Sequence, residues 1–129
     1  LCTAIEEYLG IGCNANAYLT PSNQTGFELH FDTMDSLILQ LSGRKSWRLW
    51  PPLIQLPSIG LKRRPTNTEI AALPPPRELV LNEGDAMYIP RGVLHEASTD
   101  AASIQSMHLT VGLLFKEATF EGLVHETIG

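Results

Sequence analysis

Ser36-Leu37-Ile38-Leu39-Gln40-Leu41, a Ser42-Gly43 turn and Lys45-Ser46-Trp47-Arg48-Leu49-Trp50 form the stretch that decides the fold. Each run is short, rich in branched or aromatic residues and closed by turn chemistry, which is how strands read in sequence. The same texture extends outward. Ala15 to Thr20 predicts a strand, closed by Pro21-Ser22-Asn23-Gln24-Thr25-Gly26, and Phe27 to Asp32 predicts another. Downstream, Glu78 to Leu81, Ala86 to Pro90, His95 to Ser98 and Ser103 to Phe115 read as strands, with tight turns at Asn82-Glu83-Gly84-Asp85 and Arg91-Gly92. The predicted class is all-β.

Between Trp50 and Glu78 the strand signal stops. Pro51 to Arg77 holds most of the nine prolines and a basic cluster, Lys62-Arg63-Arg64. Proline cannot donate to a strand ladder, so a loop is expected, with a short helix at Asn67 to Leu73. Near eight strands with little helix between them predict a double-sheet jelly roll of the cupin kind. Leu1 to Tyr8 reads as a helix entered in its middle, and Phe120 to Ile128 as one cut off. The expectation is a single domain over 1–129, excised from a longer chain.

The chain has 129 residues, 43% of them hydrophobic and 18% charged. That is enough to bury a core without disulfides. No stretch approaches the roughly 18 apolar residues of a membrane-spanning helix. The net charge of −5 argues against a nucleic-acid surface. Cys2 and Cys13 match no zinc or disulfide framework and fit a reducing, intracellular compartment.

Leu29-His30-Phe31-Asp32 carries the chemistry. In a strand, residues two apart share a face, so His30 and Asp32 present an imidazole and a carboxylate together. His95, after a Pro-Arg-Gly turn, is the candidate third ligand. Two histidines and one carboxylate leave three positions open on an iron(II) ion, two for a bidentate 2-oxo acid and one for dioxygen. Zinc or manganese suits the same ligands. A 2-oxo diacid also needs a cation. Lys45 is the first candidate, with Arg44 and Arg48 as rivals, because alternation sends Lys45, Trp47 and Leu49 to one face and Ser46, Arg48 and Trp50 to the other.

Five ordered blocks carry a resemblance: Asn16 to Pro21, Gly26 to Asp32, Leu39 to Leu49, Gly84 to His95, and Ser106 to Thr110. Together they resemble the JmjC family, and within it the ribosomal oxygenases, from about Tyr8 to Leu114. The resemblance implies an Fe(II)- and 2-oxoglutarate-dependent dioxygenase that hydroxylates a histidine or arginine of a ribosomal protein. It implies His30, Asp32 and His95 as iron ligands and catalytic centre, Lys45 on the far carboxylate of 2-oxoglutarate, and Asn16 as a hydrogen-bond partner of that cosubstrate. The family places a serine just after its His-Leu-Thr-Leu run. Here that position is Gly112, and Thr110, on the same face, is the candidate substitute.

His108 shares that face, as a donor near the metal or as a satisfied core histidine. His125 reads as a surface residue, and Trp47, Trp50 and Phe115 as core. The resemblance further implies a protein substrate, ribosomal or histone-like, and dioxygen as partners. Any homodimer would form through regions outside 1–129. The implied location is nucleus or nucleolus in a eukaryote, cytoplasm in a bacterium. Three other readings stay open: an N-methyl-lysine demethylase, a cupin enzyme with another metal and no 2-oxo acid, and a non-catalytic binding module.

Overall fold

The computed structural model describes residues 1–58, 60–61, 63–102 and 105–115. The helix expected over Phe120 to Ile128, with His125, lies outside them, as does Lys62. In chain order the elements are α1 (Cys2–Leu9), β1 (Gly12–Pro21), β2 (Thr25–His30), β3 (Asp35–Ser42), β4 (Lys45–Trp50), α2 (Asn67–Ala71), β5 (Arg77–Leu81), β6 (Ala86–Ile89), β7 (Leu94–Ser98) and β8 (Gln105–Leu114). None of the described helices is long and apolar enough to cross a membrane.

The strands form two four-stranded sheets, ordered β1-β8-β3-β6 and β2-β7-β4-β5, and every pairing is antiparallel. The first strand pairs with the eighth, the second with the seventh, the third with the sixth and the fourth with the fifth. Such nested pairing is a jelly roll, the double-stranded β-helix of cupins. The two inner faces enclose a core of Ile38, Trp47, Leu81, Ile89 and Ala97. Alternation along β3 turns Ser36, Ile38 and Gln40 inward, and along β4 it does the same for Lys45 and Trp47.

Among its described residues, the proline-rich segment after β4 is a loop whose one regular element is α2. Thr66 and Glu69 close that helix with reciprocal side-chain-to-backbone bonds, and the Arg63 fork donates to both Glu69 carboxylate oxygens at 2.8 and 2.7 Å. Arg63 is therefore held within its own loop rather than solvated as part of a free basic run. The start of the loop packs against the turn before β7, where Ile54 and Pro57 crowd Gly92.

Two expectations about aromatic residues need correction. Trp47 is core, but Trp50 is only half-buried, because its parity puts it on the outer face with Arg48, whose guanidinium lies 5.9 Å from the indole centre. Phe115 follows the last residue of β8 and is likewise half-buried.

Candidate metal centre

His30 is the last residue of β2 and pairs directly with His95 near the start of β7. The two rings lie 4.3 Å apart, centre to centre. Asp32 lies two residues past the end of β2 rather than within it. Its place comes from the opposite turn, where the Gly92 N–H donates to the Asp32 carbonyl at 2.9 Å. So the His-x-Asp spacing works through a strand end and a turn, not through one continuous strand.

His30 Nε2 stands 3.8 Å from Asp32 Oδ1, and His95 Nε2 stands 3.6 Å from Asp32 Oδ2. One ligating atom from each of the three lies within 4.8 Å of the others. The two carboxylate separations are below the roughly 4.4 Å between opposed ligands each about 2.2 Å from a metal. The ring tautomers are set from behind. His30 Nδ1 faces the Glu28 carbonyl at 2.7 Å, and His95 Nδ1 faces the Val93 carbonyl at 3.0 Å. A carbonyl only accepts, so each Nδ1 carries the proton and each Nε2 lone pair faces the cluster. Burial, then the neighbouring His30, pushes the His95 imidazolium below its ordinary range, which keeps a lone pair free.

A cavity of about 50 Å³ adjoins these atoms, lined by His30, Asp32, His95 and Thr110 together with Tyr18, Phe27, Ile38 and Trp47. The structure thus brings four of the six sequence-predicted residues to one wall. Lys45 lies deeper, fully buried, with Nζ donating to Thr20 Oγ1 at 2.7 Å and sitting 5.0 Å from the Phe27 ring centre. Burial pushes its ammonium down to about 8. Its rivals point outward and are already paired, Arg44 with Asp100 and Arg48 with Glu96. Asn16 is exposed on the edge strand β1, directly opposite Thr110, and does not line the cavity.

At Gly112 a Cβ would overlap Met34 Sδ and come within 2.6 Å of Asn14 Oδ1. The space a serine would need is filled by Met34, which leaves Thr110 as the polar side chain of β8 at the cavity. His108 is buried but not satisfied, because neither ring nitrogen has a hydrogen-bond partner among the described residues. Sequence reasoning missed Thr20 and Gly26. A Cβ at Gly26 would meet Lys45 Nζ at 2.7 Å, so the glycine makes room for the ammonium. It also missed Tyr18 and Phe27, although parity with Asn16 would have turned Tyr18 inward.

The JmjC domain family model matches residues 1–121. The chain belongs to that family. This JmjC domain is 40% identical over 113 residues to the bifunctional lysine-specific demethylase and histidyl-hydroxylase NO66 of Caenorhabditis elegans, covering 86% of this chain and 15% of that protein. It is 36% identical over 107 residues to human ribosomal oxygenase 1, covering 83% of this chain and 16% of that one. The chain therefore spans about one-sixth of the length of these relatives. Among solved structures, the Escherichia coli ribosomal oxygenase YcfD superposes with a TM-score of 0.58 at 21% identity, over 87% of this chain and 26% of that one, and shares the fold.

Gly92 gives the JmjC domain a testable weak point. It sits at φ +86°, and a Cβ there would meet the Ile54 carbonyl oxygen at 2.6 Å. Gly92→Ala is expected to cost about 1–3 kcal/mol from the backbone conformation alone, with the Ile54 clash added. It should also loosen Asp32. Chemical unfolding should show the lost stability, and weaker Mn(II) binding by the folded fraction should accompany it.

Proposed function

We propose that this chain is the oxygenase core of a protein hydroxylase, holding iron(II) through His30, Asp32 and His95 and 2-oxoglutarate through Lys45, with Thr110 on the cavity wall and Asn16, its partner across the β1–β8 pairing, as further contacts once the cavity opens. The observation that carries this reading is the Lys45 ammonium, fully buried against Phe27 of the cavity wall, with the Thr20 hydroxyl as its hydrogen-bond partner and no carboxylate paired with it among the described residues. A buried cation is costly unless paired. The distal carboxylate of a 2-oxo diacid would supply that charge, while its other end reaches the metal ligands.

The donor set fits the metal as well: two neutral imidazoles and one carboxylate with an open side toward the cavity suit non-heme iron(II). The cavity of about 50 Å³ holds little more than one water's share of liquid volume, about 30 Å³. Binding a five-carbon diacid therefore requires the aromatic walls to part, while Lys45 has N–H groups to spare beyond its bond to Thr20. Bound together, iron(II), 2-oxoglutarate and dioxygen supply the oxidation, inserting one oxygen into a substrate C–H bond as 2-oxoglutarate becomes succinate and carbon dioxide. The chain's own residues fix the ligand tautomers, neutralise the distal carboxylate and surround the site with Tyr18, Phe27 and Trp47, which limits access of water.

The relatives' names, a histidyl-hydroxylase and a ribosomal oxygenase, support a histidine side chain of a ribosomal protein as substrate, and the sequence resemblance adds arginine. The worm relative's name also carries lysine demethylation, so histone methyl-lysine is the second reading. Either substrate places the chain inside the cell, in the nucleus or nucleolus of a eukaryote or the cytoplasm of a bacterium, with any dimer contact lying outside 1–129. Incubation of the full chain with iron(II), 2-oxoglutarate and ribosomal-protein or histone peptides, read by mass spectrometry, tests the assignment. A gain of one oxygen on histidine or arginine is expected. Loss of lysine methyl groups would move it to demethylase, and succinate-free incubations with every peptide would overturn it.

A further inference from the structure

His108 is the buried polar side chain that this mechanism has not used. It lies on β8 between Tyr18 of β1 and Gln40 of β3 in the strand register. Its ring is fully buried. It stacks on Tyr18 at 5.2 Å and meets Trp47 and Phe27 edge-on at 5.6 and 6.0 Å. Three aromatic walls hold it in place, yet among the described residues neither Nδ1 nor Nε2 has a hydrogen-bond partner. Burial, then the Lys45 charge, pushes the imidazolium down to about 4, so the ring is neutral, with one N–H donor and one acceptor nitrogen.

The surroundings indicate what such a donor serves. Lys45 has spare N–H groups beyond its bond to Thr20, and Trp47 Nε1 is a further unpartnered donor. Against these donors stand two unpartnered side-chain acceptors among the described residues, Gln40 Oε1 and the second His108 nitrogen, and Gln40 Nε2 is fixed on Ser106 and Ser42. Inward donors thus outnumber acceptors, which favours an anionic ligand. Thr110 lines the metal cavity, and His108 lies two residues back along β8. The Phe27 ring lies 5.6 Å from the His30 ring, 5.0 Å from Lys45 Nζ and 6.0 Å from the His108 ring, so one side chain borders the metal ligand, the ammonium and this imidazole.

We infer that His108 is a specificity-determining residue for the cosubstrate: its N–H, beside the Lys45 ammonium, donates to the distal carboxylate of a 2-oxo diacid and separates diacids from short 2-oxo acids. This rests on the 2-oxoglutarate reading above. Calorimetric titration of the Mn(II)-loaded full chain with 2-oxoglutarate and with pyruvate tests it, alongside thermal unfolding of the ligand-free protein. His108→Phe should weaken 2-oxoglutarate binding tenfold or more and leave pyruvate binding unchanged. It should also maintain or raise the unfolding temperature, because an orphaned polar ring becomes an apolar one of similar shape. His108→Gln, which keeps an N–H, should recover part of the affinity. His108→Leu, read the same way, stands in should the phenylalanine fail to pack. Unchanged 2-oxoglutarate affinity, or equal losses for both acids, would overturn the assignment. If the wild-type chain binds Mn(II) but not 2-oxoglutarate, the proposed function itself fails and this inference fails with it.

Discussion

Asp32→Ala is expected to abolish metal binding and turnover together while the domain stays folded. Asp32 supplies the one carboxylate of the cluster, and the described residues contain no other group of three metal-ligating side chains. Without it, His30 and His95 offer two neutral donors. Removing a partner that merely orients a metal ligand costs about 10–100-fold in affinity, so loss of the ligand itself should exceed about 100-fold. The fold should survive, because the turn holds residue 32 by its carbonyl, which accepts from the Gly92 N–H. Mn(II) binding followed by electron paramagnetic resonance, with an unfolding curve as control, reads both. An Asp32→Ala protein that keeps Mn(II) affinity within tenfold of wild type would remove the carboxylate from the metal site.

The second large effect belongs to Lys45. Lys45→Ala should weaken 2-oxoglutarate binding about tenfold or more, since a hydrogen bond to a charged group contributes about 1.5–3 kcal/mol. Metal affinity should hold. The pH dependence carries a further signature. In the ligand-free protein burial brings the ammonium down to about 8, and a dicarboxylate needs it charged. Affinity for 2-oxoglutarate should therefore fall as pH rises through about 8, and Lys45→Arg, which stays charged, should flatten that fall. Ligand-free stability should move the opposite way. Between about 8 and the unfolded value of about 10.4, the folded chain binds fewer protons than the unfolded one, so stability rises with pH. A pH-independent affinity between 7 and 9 would assign the carboxylate to another cation.

Much of this was legible along the chain because strands alternate. Parity alone placed Lys45 and Trp47 on one face and Arg48 on the other, and turn residues bounded most strands within a few positions. Parity is a local rule, and it failed where the backbone leaves the strand. Period-two alternation puts Asp32 in β2, yet it lies in the turn beyond it, held by a glycine sixty residues later. Trp50 reads as core rather than as a substrate platform, but its parity with Arg48 leaves it half-buried on the outer face.

The sequence by itself determined the class of fold and the two alternating sets on β4, since both follow from period-two alternation and turn chemistry, and it offered His30, Asp32 and His95 as candidate ligands. Only the tertiary structure decided which cation is buried, what fills the space beside Gly112, and that His108 faces the interior unpaired. Those facts depend on pairings such as Tyr18 with His108 and His30 with His95. The partners are separated by 65 to 90 positions, a distance across which no local pattern carries information.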